Sequence, residues 1–286
     1  MIYLLLSIVF NAVLFVIVKL FAKYNIDALQ ALVVNYLTAF TFGLFFLEEP
    51  ITKSEIFNQD WFIGSIFLGF IFISTFYVTT LTSQINGLSV ASVASKMSVI
   101  IPVILGVLLY NESLGILKVI GIVLALVAIY FTSKKEKQGT DKANNLLFPI
   151  LVFLGAGTID SGLKFLQTFY IPSDKIELFS SVTFLCAFGV GISTLVYKAI
   201  KGDLVFRGRN IVGGIILGIP NYFALYFLVK MLEAKAFQSA TLFTIHNIAI
   251  VIVSTFVGIL FFKETISKRN AFGIGLALFA LFLVTY

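Results

Sequence analysis

Long apolar runs recur along the whole chain, separated by short polar segments. Each run has about 20 residues, which at about 1.5 Å per residue is enough for a helix to cross the hydrocarbon core of a bilayer. Buried helices of soluble proteins carry apolar runs of only about 10–14 residues. The pattern predicts ten transmembrane helices, at residues 1–22, 28–47, 61–82, 88–109, 115–132, 146–167, 175–199, 210–230, 237–261 and 270–286.

Composition agrees with this prediction and excludes several kinds of protein. Hydrophobic residues make up 59% of the chain and charged residues 12%, against about 45–50% and 25% in soluble domains. The net charge of +6 lies mainly in loops, where it indicates membrane topology and not nucleic-acid binding. Cys186 is the only cysteine, so neither an internal disulfide nor a cysteine-based metal site can form. No catalytic set, cofactor motif, metal-ligand spacing or nucleotide-binding loop is present, which argues against an enzyme and against an ATP-driven pump.

The chain also contains an internal duplication. A charged segment, residues 133–145, separates a first half, residues 1–132, from a second half, residues 146–286. The sequence LLYNESL at the end of the fourth span matches LFFKETI at the end of the ninth, which pairs Glu112 with Glu264. Since each half has five spans, the second must enter the membrane in the opposite orientation. Inverted repeats of this kind are typical of secondary transporters, with the binding site near the bilayer midplane.

These features resemble the drug/metabolite transporter superfamily, in particular its EamA-like members. The resemblance rests on the two five-helix halves, the LYNES and FFKET turns and the glycine-bearing helices VIGIVLALVAIYF and AFGIGLALFALFL that follow them. The family usually has a Gly-Glu pair at that turn, whereas Asn111 and Lys263 precede the glutamates here. The resemblance implies an all-α membrane protein whose helices surround a central cavity. It also implies that helices 5 and 10 stand outside, as supports or as the contact of a homodimer.

The fourth span carries the most informative polar pattern. Ser89, Ser92 and either Ser95 or Lys96 lie on one helical face, and Pro102 is placed to loosen the helix beside them. An ammonium facing lipid would cost at least about 2.5–3.5 kcal/mol. We therefore expect Lys96 to face a substrate.

Other charged residues inside the spans admit two interpretations. Lys19 and Lys164 lie near span ends and could extend to the interface, or they could face the same cavity. Asp160 is four residues before Lys164, so the two could form a structural pair, or they could act in substrate binding or coupling. His246, the only histidine, is either a hydrogen-bonding residue between helices or a proton site.

Further candidates follow from polar residues on other span faces. The ninth span carries a polar stripe that includes Thr244, Asn247 and Ser254, and it matches that of the fourth span by the duplication. The eighth span contains Pro220, which could break the helix and expose backbone groups to a ligand. The predicted substrate-binding residues are Tyr77, Ser92, Lys96, Asn221, Tyr222, Thr244, His246 and Asn247.

The function predicted from these residues is a secondary transporter in the cell (inner) membrane. Three lysines against one aspartate inside the spans favour an anionic or zwitterionic metabolite, such as an amino acid or organic acid. The main alternative is an aromatic or quaternary amine held by tyrosines through cation–π contacts. A membrane-embedded enzyme and a non-transporting receptor of the same fold are further alternatives. Glu112 and Glu264 are expected to cap the helices that follow them.

Overall fold

The computed structural model describes residues 2–47, 56–110, 115–133, 146–233 and 239–285. These residues form ten helical spans, at positions close to those predicted, and the fourth span consists of two segments. The helices are α1 (Ile2–Lys23), α2 (Ala28–Leu44), α3 (Phe62–Ile85), α4a (Leu88–Met97), α4b (Ile100–Tyr110), α5 (Ile116–Ser133), α6 (Leu147–Phe169), α7 (Ile176–Ile200), α8 (Gly208–Glu233), α9 (Ser239–Phe262) and α10 (Lys268–Thr285).

The helix surfaces are those of an integral membrane protein. Seven helical segments in the described part of the chain are long and apolar enough to cross a membrane. Two more, Ala28–Leu44 and Val119–Thr132, are apolar but shorter. Large apolar side chains are exposed along whole helix faces, as on α5 at Val119, Ile120, Val123, Leu126 and Val127. In water so extended an apolar surface would cause aggregation, whereas in a bilayer it faces lipid.

The helices form two compact units, and neither unit coincides with a sequence half. The first unit contains residues 1–77 and 162–234, and the second contains residues 78–161 and 235–286. Each unit therefore combines helices from both halves of the duplication. The halves at residues 1–132 and 146–286 remain a prediction about the duplication and not a description of the compact units.

In the first unit, α8 packs against α1 and α2, and α2 packs against α7. Two glycines of α8 allow the close approach of α2: a Cβ at Gly214 would lie 2.5 Å from the Ala31 carbonyl oxygen, and one at Gly218 would lie 2.7 Å from that of Asn35. Small residues spaced in this way let transmembrane helices pack backbone to backbone. The predicted break at Pro220 is wrong, because α8 continues as one helix through this proline. Its close packing against two neighbouring helices holds the backbone helical although the proline lacks an N–H.

In the second unit, α5 packs against α10, and α4a packs against α5 and α9. Its core consists of the buried residues Val93, Met97, Val99, Ile100, Ala125, Ala128, Ile129, Val251, Ala277, Ala280 and Leu281. The start of α10 is held against the end of α5, where the Asn270 side-chain amide donates to the Thr132 carbonyl at 2.6 Å. The fifth and tenth helices are thus partners within one chain, while the outer face of α5 stays exposed.

The cap predicted for Glu264 is also corrected. Its carboxylate accepts a hydrogen bond from the Leu88 backbone amide, at the start of α4a, and does not cap α10. The first turn of α10 is capped instead by Ser267, whose hydroxyl oxygen accepts from the Asn270 amide at 3.2 Å. Glu112, the counterpart of Glu264 in the first half, lies outside the described residues.

Candidate functional site

A helix break positions the polar groups of the second unit. The α-helix of the fourth span stops at Met97 and resumes at Ile100. The interruption, at Ser98 and Val99, lies three to four residues before Pro102. A proline has no amide hydrogen for the carbonyl four residues earlier, which here belongs to Ser98, and its ring crowds that carbonyl. The Ser98 carbonyl accepts instead from the Ile101 amide at 2.9 Å. The expected loosening beside Pro102 is therefore confirmed, and it lies directly after Lys96.

Lys96 occupies the last turn of α4a and is partly buried. A cation is favoured at this end of a helix, where carbonyl groups carry partial negative charge. The Asp160 carboxylate, on α6, attracts the Lys96 ammonium electrostatically. The structure thus brings together two opposite charges from two helices of the second unit.

The close contact of α6 with α4b places Asp160 near the helix break. At that break the Ser98 hydroxyl donates to the Ser95 carbonyl at 2.5 Å. One turn earlier on α6, a Cβ at Gly157 would lie 2.2 Å from the Ile101 side chain, so only glycine allows α6 this close to α4b. The close crossing of α6 and α4b brings Asp160 to Ser98, because each residue lies about one turn from the glycine contact.

His246 and Asn247 bring α9 into the same cluster. The His246 side chain is 2% exposed, and its Nδ1 lies 3.4 Å from Oδ1 of Asn247. The Lys96 ammonium is close enough to act electrostatically on the imidazole ring. We call Lys96, Ser98, Asp160, His246 and Asn247 the charged cluster.

The serine face of α4a is buried, but its hydroxyls are partly used within the helix. Ser92 is fully buried and donates to the Ser89 carbonyl at 3.0 Å. The Ser89 hydroxyl is buried without a hydrogen-bond partner among the described residues. Thr244 lies in α9, and its side chain is outside the described part of the structure. Substrate binding by Ser92 and Thr244 stays a prediction.

The remaining predicted binding residues form a second group, in the first unit. Asn221 donates from its side-chain amide to Oδ1 of Asn35 at 3.1 Å, which joins α8 to α2. Within the described residues, three buried polar groups of α2 and α8 have no hydrogen-bond partner: the Asn35 amide nitrogen and the hydroxyls of Tyr36 and Tyr222. Such groups cost about 1–3 kcal/mol each when unsatisfied, so this region suits a polar ligand or water.

Aromatic rings surround this group. Tyr222 stacks on Phe46 at a centroid distance of 5.5 Å and on Tyr226 at 5.9 Å. The Lys230 ammonium lies 5.9 Å from the Tyr226 ring centre and 3.3 Å from Glu177 of α7. Tyr77, on α3, packs against the apolar core formed by α1, α2 and α8.

The lysines near span ends are placed differently from Lys96. Lys164 is exposed and Lys19 is partly buried, and both make contacts with other residues. Asp160 interacts electrostatically with Lys96 of another helix, and the Asp160–Lys164 pair stays a prediction.

Two features of these clusters were missed from the sequence. Ser98 was not singled out. Pro102, four residues later, has no N–H, so the Ser98 carbonyl cannot make its usual helical hydrogen bond. The Lys230–Glu177 pair joins α8 to α7, and a lysine late in one span gives no sign of which distant carboxylate it meets.

Comparisons with known proteins agree with the fold. The sequence profile of the EamA-like transporter family matches residues 1–134. An uncharacterized protein of Haemophilus influenzae is 30% identical over 302 aligned positions, which cover 99% of this chain and 97% of that protein. A protein of known crystal structure superposes with a TM-score of 0.57 over 97% of this chain and 95% of its own, at 13% identity. A likeness at that identity supports the fold alone.

Proposed function

Because this chain belongs to the EamA-like transporter family, we propose that it is a secondary transporter that moves a small anionic or zwitterionic metabolite by alternating access. The family favours a transporter over an enzyme. The proposed location is the cell (inner) membrane, with the apolar helix faces in contact with lipid. A homodimer through the exposed face of α5, together with α10, remains part of the proposal.

The observation that carries this proposal is the position of Lys96. Its ammonium lies within a predicted span, close to a helix break, and it interacts electrostatically with Asp160 and His246. Charged side chains inside membranes are rare and mark substrate or ion pathways. An ammonium there recognises a carboxylate or phosphate, and a neighbouring carboxylate accommodates an amino group. A metabolite with one or both of these groups matches the charged cluster.

The aromatic group of the first unit supports a second candidate, an aromatic or quaternary amine. Tyr222, Tyr226 and Phe46 present stacked rings, and ring faces attract cations by about 0.5–2 kcal/mol. Lys230 opposes this candidate, because its ammonium already lies 5.9 Å from the Tyr226 ring centre and 3.3 Å from Glu177, the groups that a cationic substrate would use. The anionic or zwitterionic metabolite is therefore the first choice.

Uptake into liposomes that contain the purified protein tests the proposal. The probes are a tritiated mixture of the protein amino acids, [14C]succinate and a tritiated aromatic amine. We expect the wild type to take up a probe with a carboxylate, and Lys96→Ala to reduce this uptake at least about tenfold, the loss of one charged contact. Lys175→Ala is the matched control, because Lys175 lies between α6 and α7, and its partner Asp174 is largely exposed.

Three outcomes separate the hypotheses. Unchanged uptake by Lys96→Ala would exclude a contact between Lys96 and the substrate. Uptake of the amine alone, reduced by Tyr222→Ala, would establish the second candidate. No flux of any probe, together with binding of one of them, would indicate a receptor.

A further inference from the structure

An open groove of about 610 Å³ lies in the first unit, between α3 and α7. Its lining is mainly apolar, with Ile66 on the α3 side and, on the other side, a face of α7 that includes Cys186, Gly189, Val190, Ser193 and Tyr197. Gly189 keeps the groove wide, because none of the described atoms lies within 4 Å of a Cβ built there. The neighbouring side chains of Ile192 and Val196 are exposed, and an exposed apolar surface of this kind faces lipid.

Positive charge collects where this face of α7 ends. The Lys201 ammonium lies 4.8 Å from the ring centre of Tyr197, the last groove residue along α7. Arg207 and Arg209 follow in sequence, and the side chains of all three basic residues are exposed. Residues 198–209 contain four basic residues and one acidic residue, Asp203. An ammonium at the end of an apolar groove matches a molecule with an anionic head and an apolar chain.

The connection between α7 and α8 is held in place and presents apolar side chains beside these charges. The Gln30 side-chain amide, at the start of α2, donates to the Val205 carbonyl at 3.0 Å. Asn210 donates to the Gln30 side-chain oxygen at 2.9 Å and accepts from the Asp27 amide at 3.0 Å. The side chains of Val205 and Phe206 are 64% and 67% exposed. Basic and apolar side chains on one surface suit contact with the membrane interface.

We propose that this surface binds one anionic phospholipid, with an acyl chain in the groove between α3 and α7 and the phosphate at Lys201. Arg207 and Arg209 add positive charge around the headgroup. Basic connections stay on the cytoplasmic side, where the leaflet carries anionic phospholipids. A second copy of the chain is a poorer match, because a two-fold contact would bring equal positive charges together at one depth of the bilayer. The site is independent of the proposed substrate, since it uses none of the predicted binding residues.

Native mass spectrometry of the purified protein in detergent measures the contribution of the headgroup. The probes are dioleoyl phosphatidylglycerol and dioleoyl phosphatidylcholine, which have the same acyl chains and differ in net charge. We expect the wild type to bind one phosphatidylglycerol at least about tenfold more tightly than phosphatidylcholine. Lys201→Gln should lower the affinity for phosphatidylglycerol about fivefold, and Lys201→Gln/Arg207→Gln/Arg209→Gln should remove the preference. Lys175→Gln, at the opposite end of α7, is the matched control and should change neither affinity.

A substitution inside the groove tests the position of the acyl chain. Gly189→Leu fills the groove, and the open space around Gly189 allows the variant to fold. We expect it to lower the affinity for both lipids at least about fivefold, because it displaces apolar contacts. Gly275→Leu, at a glycine of α10 with equally open surroundings, should change neither affinity. Cys186 is the only cysteine, and saturating phosphatidylglycerol should slow its modification by a small thiol reagent at least about threefold, because the chain covers it.

The outcomes decide between occupants of the groove. Equal affinities of the wild type for the two lipids would overturn the anionic headgroup. Equal effects of Gly189→Leu and Gly275→Leu, or Cys186 modification that phosphatidylglycerol does not slow, would overturn the position of the chain. A dimer of the wild type that Gly189→Leu dissociates would assign the groove to a second copy and overturn the proposal.

Discussion

The Glu264 carboxylate accepts a hydrogen bond of 2.7 Å from the Leu88 backbone amide. The carboxylate lies next to Gly87, whose φ of +113° is a conformation that favours glycine. A Cβ at Gly258 would lie 2.8 Å from a carboxylate oxygen of Glu264. A residue just beyond α9 therefore caps α4a, the helix that carries Lys96. Gly258 makes room for the carboxylate, since a side chain there would be too close to it.

Removal of this cap should destabilise the second unit. We expect Glu264→Ala to lower the free energy of unfolding by about 0.5–2 kcal/mol, because the Leu88 amide loses its acceptor and the helix end loses a favourable negative charge. Glu264→Gln keeps an acceptor oxygen and should lose less. Unfolding of the two variants and the wild type in one detergent checks this, and a Glu264→Ala protein as stable as the wild type would show that the cap contributes nothing.

The close packing of α8 on α2 predicts a strong effect of a single methyl group. A Cβ at Gly218 would lie 2.7 Å from the Asn35 carbonyl oxygen and 2.6 Å from the Thr38 Cβ, so Gly218→Ala should destabilise the protein by about 1–3 kcal/mol. Gly275→Ala is the control, because no atom lies within 4 Å of its Cβ position. It should be neutral or slightly stabilising, since alanine favours a helix. Similar unfolding temperatures for the two variants would contradict the packing described for Gly218.

Transport driven by a pH step tests His246 as a proton site. The imidazole lies close to the Lys96 ammonium, and a second positive charge there would be repelled. We therefore expect the wild type and His246→Gln to respond alike to a pH step in liposomes. A response that is present in the wild type and lost in His246→Gln, with uptake at constant pH unchanged, would establish His246 as the coupling residue.

Charge distribution predicts the orientation in the membrane. Of the 20 lysines and arginines, twelve lie in the loops after odd-numbered spans or within a few residues of them, and five lie in or near the loops after even-numbered spans. Positively charged loops stay in the cytoplasm, so we expect residues 133–145 to be cytoplasmic and the C-terminal end to be outside. A reporter active only in the cytoplasm should be silent at the C-terminal end and active within residues 133–145. The opposite pattern would reverse the assignment.

The spans could be predicted from the sequence because bilayer thickness fixes the length of an apolar run. The third span was predicted at residues 61–82 and observed at Phe62–Ile85. The break beside Pro102 was predictable from a missing amide, whereas the same argument failed at Pro220. A proline removes one hydrogen bond wherever it stands, but the helix breaks only if its neighbours allow it.

Contacts between helices distant in sequence could not be predicted. For Asp160 the sequence offered Lys164, four residues later, as a candidate partner, because helical spacing is the only geometry that a sequence displays. The electrostatic interaction of Asp160 with Lys96 joins two helices and could not be predicted in this way. Glu264 was placed on the helix that follows it for the same reason. Both predictions assumed that a side chain interacts with residues a few positions away in the sequence. The actual partners of these side chains depend on how the helices pack.

The composition of the two compact units has a consequence for biosynthesis. The first unit needs residues 162–234 and the second needs residues 235–286, so neither can be completed while only the first five helices have left the ribosome. The early helices therefore enter the bilayer before their final neighbours are made. At that stage Asn35 has no hydrogen bond from Asn221, and Lys96 has no interaction with Asp160. Translation of the second half thus completes both units, and a nascent chain that stops at residue 132 should be recognised by quality control as unassembled.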